Sequence, residues 1–220
     1  MRINKFVAAA SGVSRRRADL LVSSGRVTVN GFTSAIGQDV TEADEVRLDG
    51  QTLHYRLEHS IVLLNKPVGY VSSRSGQGSQ TIYDLLPPEL HQLKPVGRLD
   101  KDSSGLLLLT DDGQLTYELT HPKFQKQKVY QVTLDHDLEP LHQQMINDIG
   151  LQLDDGLSRL QLARLSETNR TDWQVTMSEG RNRQIRRTFA SLDYEVVKLH
   201  RSQFGTYTID DIPSGKYRLA

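Results

Sequence analysis

Val96-Gly-Arg-Leu-Asp-Lys-Asp-Ser-Ser-Gly-Leu-Leu-Leu-Leu-Thr110 is the stretch from which the rest of the chain can be read. Leu106 to Leu109 form a continuous apolar run, with Gly105 before it and Asp111-Asp112-Gly113 after it. A short run of that kind between turn signals predicts a strand buried on both faces. The loop in front carries Arg98, Asp100, Lys101 and Asp102, and it would hang from a rigid element, as a reactive carboxylate requires. From this stretch alone a charged turn entering a core strand is an equal reading. Other segments decide between the two.

The 220 residues allow a small module and a medium-sized domain, each with its own core. A hydrophobic content of 37% and a charged content of 25% fit a soluble globular protein. No apolar run reaches the roughly 18 residues that a membrane span needs. The start, Met1-Arg-Ile-Asn-Lys5, leads into an amphipathic segment without a signal-type apolar block. With no cysteine, disulfides and thiolate metal sites are excluded, and a reducing cytoplasm is the expected setting. A monomer is the default expectation.

The formal net charge of zero conceals a segregation. Residues 1–31 hold Arg2, Lys5, Arg15, Arg16, Arg17 and Arg26 against Asp19, whereas residues 32–60 are dominated by acids. Further basic clusters are Lys123/Lys126/Lys128 and Arg181/Arg183/Arg186/Arg187. Segregated basic patches in a neutral chain point to a polyanionic partner.

Ile3, Phe6, Val7 and Ala10 have the spacing of one helix face, and Gly12 ends that helix. Ser14 is a fitting N-cap for a second helix that turns Ala18, Leu21 and Val22 inward and stops at Gly25. Arg15, Arg16 and Arg17 fall in its first turn, where cations oppose the helix dipole, so they are expected to serve a ligand. Arg26-Val-Thr-Val-Asn30-Gly31 alternates and ends in a hairpin signal, and Val46-Arg-Leu-Asp49-Gly50 repeats that pattern. The spacing predicts a compact unit over residues 1–58, a linker at Glu58-His-Ser60, and a second domain over 59–220. In that second domain Ile61–Lys66, Lys126–Leu134, Leu160–Leu165, Trp173–Met177 and Tyr194–Arg201 read as strands. Short helices are expected at Ile82–Leu86, Gln114–Thr120, Leu138–Asp148 and from Gln184 to about Leu192, with a mobile Gly/Ser-rich loop over 69–78. Strands outnumber helices and do not alternate regularly with them, so the fold class is α+β with a mixed, largely antiparallel sheet.

The seven histidines show no ligand spacing, and no Walker, dinucleotide-binding or nucleophile-elbow pattern occurs. What remains is an acid, an aromatic residue and several arginines on separate elements.

Two resemblances bear on these residues. Ile3-x-Lys5-Phe6, Ser14-Arg-Arg-Arg-Ala18 and Ser24-Gly-Arg-Val-x-Val-Asn-Gly31 resemble the S-four RNA-binding module, whose second helix faces structured RNA. Gly97-Arg-Leu-Asp100, Lys128-Val-Tyr130 and Gly180-Arg-Asn-Arg-Gln-Ile-Arg186 resemble, in this order, motifs of the RsuA-type ribosomal RNA pseudouridine synthases. Asn65-Lys-Pro67, Leu119-Thr-His-Pro122 and Val197-Lys-Leu199-His-Arg201 fit the same pattern. The resemblance implies Asp100 as catalytic aspartate, Tyr130 as the ring on the target base, and Arg186 as the arginine paired with that aspartate. It also implies that Leu199 lines the pocket and that Arg98 fills the gap left by the extruded base. Lys128, Arg183, Arg15, Arg16 and Arg17 are further candidates for substrate binding. One departure is Asp193, where relatives usually have glycine; aspartate tolerates the left-handed backbone expected there.

The implied reaction turns a uridine of ribosomal RNA into pseudouridine, and since no atom enters or leaves, neither cofactor nor metal is expected. Asn182-Arg-Gln-Ile-Arg-Arg187 looks more like the large-subunit branch of the family, with small-subunit rRNA as the alternative. Two other readings compete: a non-catalytic RNA-binding assembly factor that kept the fold, and a carboxylate hydrolase acting on a nucleoside. Asp100 together with Tyr130 and Arg186 argues against the first. Asp102 is too near Asp100 in sequence to be an obvious second acid for the hydrolase.

Overall fold

A computed structural model describes residues 1–55 and 59–220, so Glu58 of the expected linker lies outside the described residues. The chain divides into two compact units, Met1–His59 and Ser60–Ala220. Among the described residues no helix is long and apolar enough to cross a membrane.

The first unit begins with helices α1 (Ile3–Ser11) and α2 (Arg15–Ser23). Gly12 ends α1 in the left-handed conformation, and the Ser14 hydroxyl accepts a hydrogen bond from the Arg17 amide as the N-cap of α2. Such a cap stabilises a helix by about 1 kcal/mol. Strands β1 (Val27–Val29), β2 (Phe32–Thr33), β3 (Val46–Leu48) and β4 (Gln51–Thr52) form an antiparallel sheet in the order β2-β1-β3-β4. Asn30-Gly31 and Asp49-Gly50 turn its two hairpins with positive φ at both residues, as these dipeptides favour. Ile3, Phe6, Val7, Ala18, Leu21 and Val22 meet Val27, Val29, Val40 and Val46 in one core, and Ala10 packs at its edge.

The second unit is built on one large sheet. Its members are β5 (Ile61–Lys66), β6 (Lys94–Pro95), β7 (Ser104–Thr110), β8 (Lys128–Leu134), β11 (Gln161–Arg164), β12 (Asp172–Met177), β13 (Val196–Phe204), β14 (Tyr207–Thr208) and β15 (Tyr217–Leu219). A separate hairpin pairs β9 (Leu151–Leu153) with β10 (Gly156–Ser158). The main order is β11-β12-β8-β13-β7-β5-β15, with β6 beside β7 and β14 beside β13. Only β13 and β7 run parallel; the other neighbours in this sheet are antiparallel, which makes the unit α+β with a mixed sheet. Helices α3 (Gly113–Thr120), α4 (Pro140–Gln144) and α5 (Gln184–Ala190) cover it.

The leucine run is the hub. Leu107 and Leu109 join the core that holds Val62, Trp173, Ile185 and Phe189, while Leu106 and Leu108 join Val96, Leu119, Phe204 and Ile212 on the opposite face. All four are fully buried. Each contributes about 1.5–3 kcal/mol by leaving water.

Some element boundaries differ from expectation. The helix expected over Leu138–Asp148 begins only at Pro140, whose ring suits a first helical turn, and it widens into a π-helical turn over Met145–Ile149. The segment Ile82–Leu85 is a single 3₁₀ turn, tightened by the Thr81 amide donating to the Asp84 carboxylate at 2.7 Å. The β9–β10 hairpin, β6, β14 and β15 were not expected; each is two or three residues long, too short to show a period.

Candidate active site

Asp100 lies in the loop before β7, and that loop is fastened from beneath. Lys66, fully buried at the end of β5, donates to the carbonyls of Pro67 (3.0 Å), Asp100 (3.0 Å) and Ser103 (2.6 Å). The Ser72 hydroxyl donates to the Leu99 carbonyl at 2.8 Å and accepts from the Leu99 amide at 3.2 Å. The Gly69 amide donates to the Lys101 carbonyl at 2.7 Å. With its backbone held at four consecutive or near-consecutive residues, the Asp100 side chain projects with 38% exposure. Burial pushes the Lys66 ammonium down to about 8, against the opposing pull of Asp100 and Asp102.

A cleft of about 540 Å³ opens beside this loop. Asp100 and Arg98 stand on one wall, and Lys128, Tyr130, Leu199, Arg201 and Phe204 come from the paired strands β8 and β13. Met177 and Ile185 add apolar surface. Tyr130 is 8% exposed and sits opposite Arg201 in the strand register. Just beyond that pair the register shifts between Arg201 and Gln203, a bulge of the kind that re-aims side chains beside functional sites. Gly105 lets β7 approach there: a Cβ at this position would lie 2.3 Å from the Arg201 carbonyl oxygen.

The charges of the site are distributed differently from the expectation. Arg186 does not reach the Asp100 carboxylate. Its Nε lies 3.3 Å from Asp102 Oδ2, and its other nitrogens donate to the carbonyls of Asp102 and Val196. Arg183 takes the place expected of Arg186, 3.5 Å from Asp100 Oδ2, while its two terminal nitrogens hold Asp102 at 3.1 and 2.9 Å. The reason lies in the backbone. Arg183 precedes α5 in the left-handed region (φ 46°), so its side chain departs from the helix toward the Asp100 loop. A non-glycine residue there is under mild strain of the kind found at functional positions. The Arg183 hydrogen bonds, and Arg186 next to them, hold the Asp102 carboxyl below its usual range.

The arginine cluster over 181–187 is therefore not a free basic patch. Arg181 and Arg187 both grip Asp155 in the β9–β10 turn, at 2.7 and 2.6 Å. The N-terminal acids behave alike: Asp39, Glu45 and Asp49 pair with Arg2, Arg47 and Arg26. Arg15, Arg16 and Arg17 remain exposed and without an ion pair among the described residues.

Two cations occupy the inner part of the cleft. Arg201 is 2% exposed; its Nε donates to the Leu106 carbonyl at 2.8 Å, it lies over the Phe204 ring, and its Nη2 has no hydrogen-bond partner among the described residues. Lys128 donates to the Glu179 carbonyl at 3.2 Å, and burial, aided by Arg201, lowers it to about 8. Lys66, Ser72 and Arg201 were not singled out as site residues from the sequence. Lys66 and Arg201 do fall in segments that carry the family resemblance, and Lys66, set before a proline at the end of an apolar run, is also a charge where none is expected. Asp193, the departure noted above, does adopt the left-handed conformation, with φ 64°.

The arrangement presents an anchored carboxylate at the mouth of a cleft that offers a tyrosine ring, apolar walls and buried cations. It suits a flat, uncharged heterocycle attached to a sugar at the mouth. Comparison with known proteins agrees. The family model for RNA pseudouridylate synthase matches residues 60–191, and that for the S4 domain matches residues 1–46. The ribosomal small subunit pseudouridine synthase A of Yersinia pestis is 37% identical over 99% of this chain and 94% of its own length. The ribosomal large subunit pseudouridine synthase B of Bacillus subtilis is 34% identical over 99% and 91%. A crystal structure of a pseudouridylate synthase superposes with a TM-score of 0.70 at 32% identity, covering 100% of this chain and 96% of that one. With an S4 domain in front of it, the chain belongs to the RNA pseudouridylate synthase family, and it is an isomerase.

Proposed function

We propose that this protein converts a uridine of ribosomal RNA into pseudouridine, with residues 1–58 binding the RNA and residues 59–220 performing the reaction. The observation that carries the assignment of roles is the placement of Asp100: its carboxylate is free to react while its backbone is fixed by Lys66, Ser72 and Gly69. The carboxylate attacks C1′ of the ribose, or assists departure of the base, as the bond from N1 to C1′ breaks. The uracil turns within the cleft and a bond forms from C5 to C1′; where the carboxylate has attached to C1′, its oxygen–C1′ bond breaks in this step and the carboxylate is regenerated. The proton on C5 is then lost and N1 gains one, so the atoms balance without a further reactant. Tyr130 stacks on the extruded base, and its hydroxyl moves the C5 proton. Arg183 stands 3.5 Å from the carboxylate, Leu199 closes the apolar wall, and exposed Arg98 fills the space that the base vacates in the RNA.

We infer a large-subunit target from Asn182-Arg-Gln-Ile-Arg-Arg187. The small-subunit alternative draws on the 37% identity to the Yersinia pestis relative, against 34% to the Bacillus subtilis one. Pseudouridine mapping across all rRNA from cells with and without the gene separates the readings. One uridine of large-subunit rRNA should lose its modification in the deletion strain. Loss in small-subunit rRNA would transfer the assignment, and an unchanged map would reject the proposed substrate.

A further inference from the structure

Helix α3 and the turn after it assemble a group of rings that the reaction does not use. Leu119 points into the core, whereas Tyr117, two residues earlier, is 40% exposed. Tyr117 and His121 are four apart and therefore neighbours on one helical face, with ring centroids 4.8 Å apart. The 3₁₀ turn Pro122–Phe124, closed by Gln125 in the left-handed conformation, brings Phe124 back to Tyr117 at 5.5 Å, edge to face. The Lys123 ammonium lies 4.8 Å from the Tyr117 centroid and 4.6 Å from that of Phe124. The His121 Nδ1 accepts from the Lys123 amide at 3.2 Å, which fixes the imidazole. The group adjoins the cleft: Thr120 and Pro122, between these rings in sequence, line it together with Arg98.

We propose that Tyr117, His121, Phe124 and Lys123 form a stacking platform for the unpaired nucleotide next to the target uridine. The inference rests on the RNA substrate proposed above and names a contact of that substrate outside the base-binding cleft. Extruding the target base leaves its neighbour without a stacking partner, and exposed rings at the rim replace the lost stack. Every base has a π-face, so the contact is tolerant of sequence. Lys123 supplies positive charge for the adjoining phosphate, with Lys126 and Arg98 nearby in the chain or on the rim. The partner is thus single-stranded RNA, in preference to an acidic protein segment, because planar rings with a cation over them offer stacking faces and no apolar groove.

The test measures single-turnover pseudouridine formation on rRNA from cells lacking the gene, as a function of protein concentration. Tyr117→Ala should raise the half-saturating concentration at least about tenfold while the saturated rate stays within about threefold, the scale expected for one lost base stack. Tyr117→Phe, which keeps the ring, should restore the wild-type value. Lys123→Ala should reduce the salt dependence of binding by roughly one phosphate contact. Equal half-saturation in Tyr117→Ala and wild type, with both folded by circular dichroism, overturns the platform. If the wild type itself forms no pseudouridine, the proposed function is wrong. The platform is then judged by binding of a labelled oligouridylate of about ten nucleotides: Tyr117→Ala weakening it supports the platform, and no difference rejects it.

Discussion

At the scale of residues, the contacts that matter to the proposed reaction are those that hold the Asp100 backbone and those that Arg183 and Arg186 make to the Asp100 loop. Asp100, Tyr130, Leu199, Lys128, Arg183 and Arg98 were all legible as candidates, and all six line one cleft. Which arginine meets the aspartate was not legible, because Arg183 and Arg186 are three apart and the left-handed backbone at Arg183 reverses their roles. Lys66 escaped for a related reason: its three carbonyl partners come from distant or irregular backbone that no pattern announces. The two arginines can be told apart by conservative substitution, since an ammonium cannot reproduce a planar two-point grip. Arg183→Lys should lower the single-turnover rate at least about tenfold, or roughly 1.4 kcal/mol, with little change in Tm. Arg186→Lys should instead lower Tm, because the side chain is mostly buried and ties the Asp102 and Val196 carbonyls together. Stopped turnover assays and thermal unfolding of both variants check the division.

At the scale of elements, the sheet centre explains why so much of the fold was readable. Leu106 to Leu109 are buried on both faces because β7 lies between β5 and β13 with a core on each side, and a strand so placed has no polar alternation to show. The hairpin turns and helix caps of the first unit were readable because Asn-Gly, Asp-Gly and Ser act locally. The short hairpin β9–β10 was not, since its position depends on Asp155 being gripped by Arg181 and Arg187 from another element. The parallel pairing of β7 with β13 is close at Gly105, which lies opposite Arg201. Gly105 has φ 107°, and an added Cβ would meet the Arg201 carbonyl oxygen, nitrogen and carbon at 2.3–2.9 Å. Gly105→Ala should therefore destabilise the protein by more than about 2 kcal/mol through backbone strain and collision. Chemical denaturation measures it; a loss below about 0.5 kcal/mol would mean that the β7–β13 pairing relaxes freely.

At the scale of the whole molecule, the chain divides into two units, and the proposed function gives RNA binding to the first and the reaction to the second. Asp39, Asp49 and Glu45 neutralise Arg2, Arg26 and Arg47, whereas the exposed arginines at the start of α2 have no ion pair among the described residues. Replacing Arg15, Arg16 and Arg17 together by alanine should weaken RNA binding and flatten its salt dependence, because fewer counterions are released. The single-turnover rate at saturating RNA should be unchanged; a large fall in that rate at constant affinity would assign these arginines to the chemistry. The central claim is that the carboxylate of Asp100 carries the reaction. Asp100→Asn keeps the size and the backbone contacts to Lys66 and Ser103, and removes the negative charge and the nucleophilic oxygen. Tritium release from rRNA labelled at C5 of uridine, measured on a variant shown to be folded by circular dichroism, is the direct measurement. Release below detection with RNA affinity retained is the expected result, and substantial release by the folded variant would contradict a reacting role for Asp100.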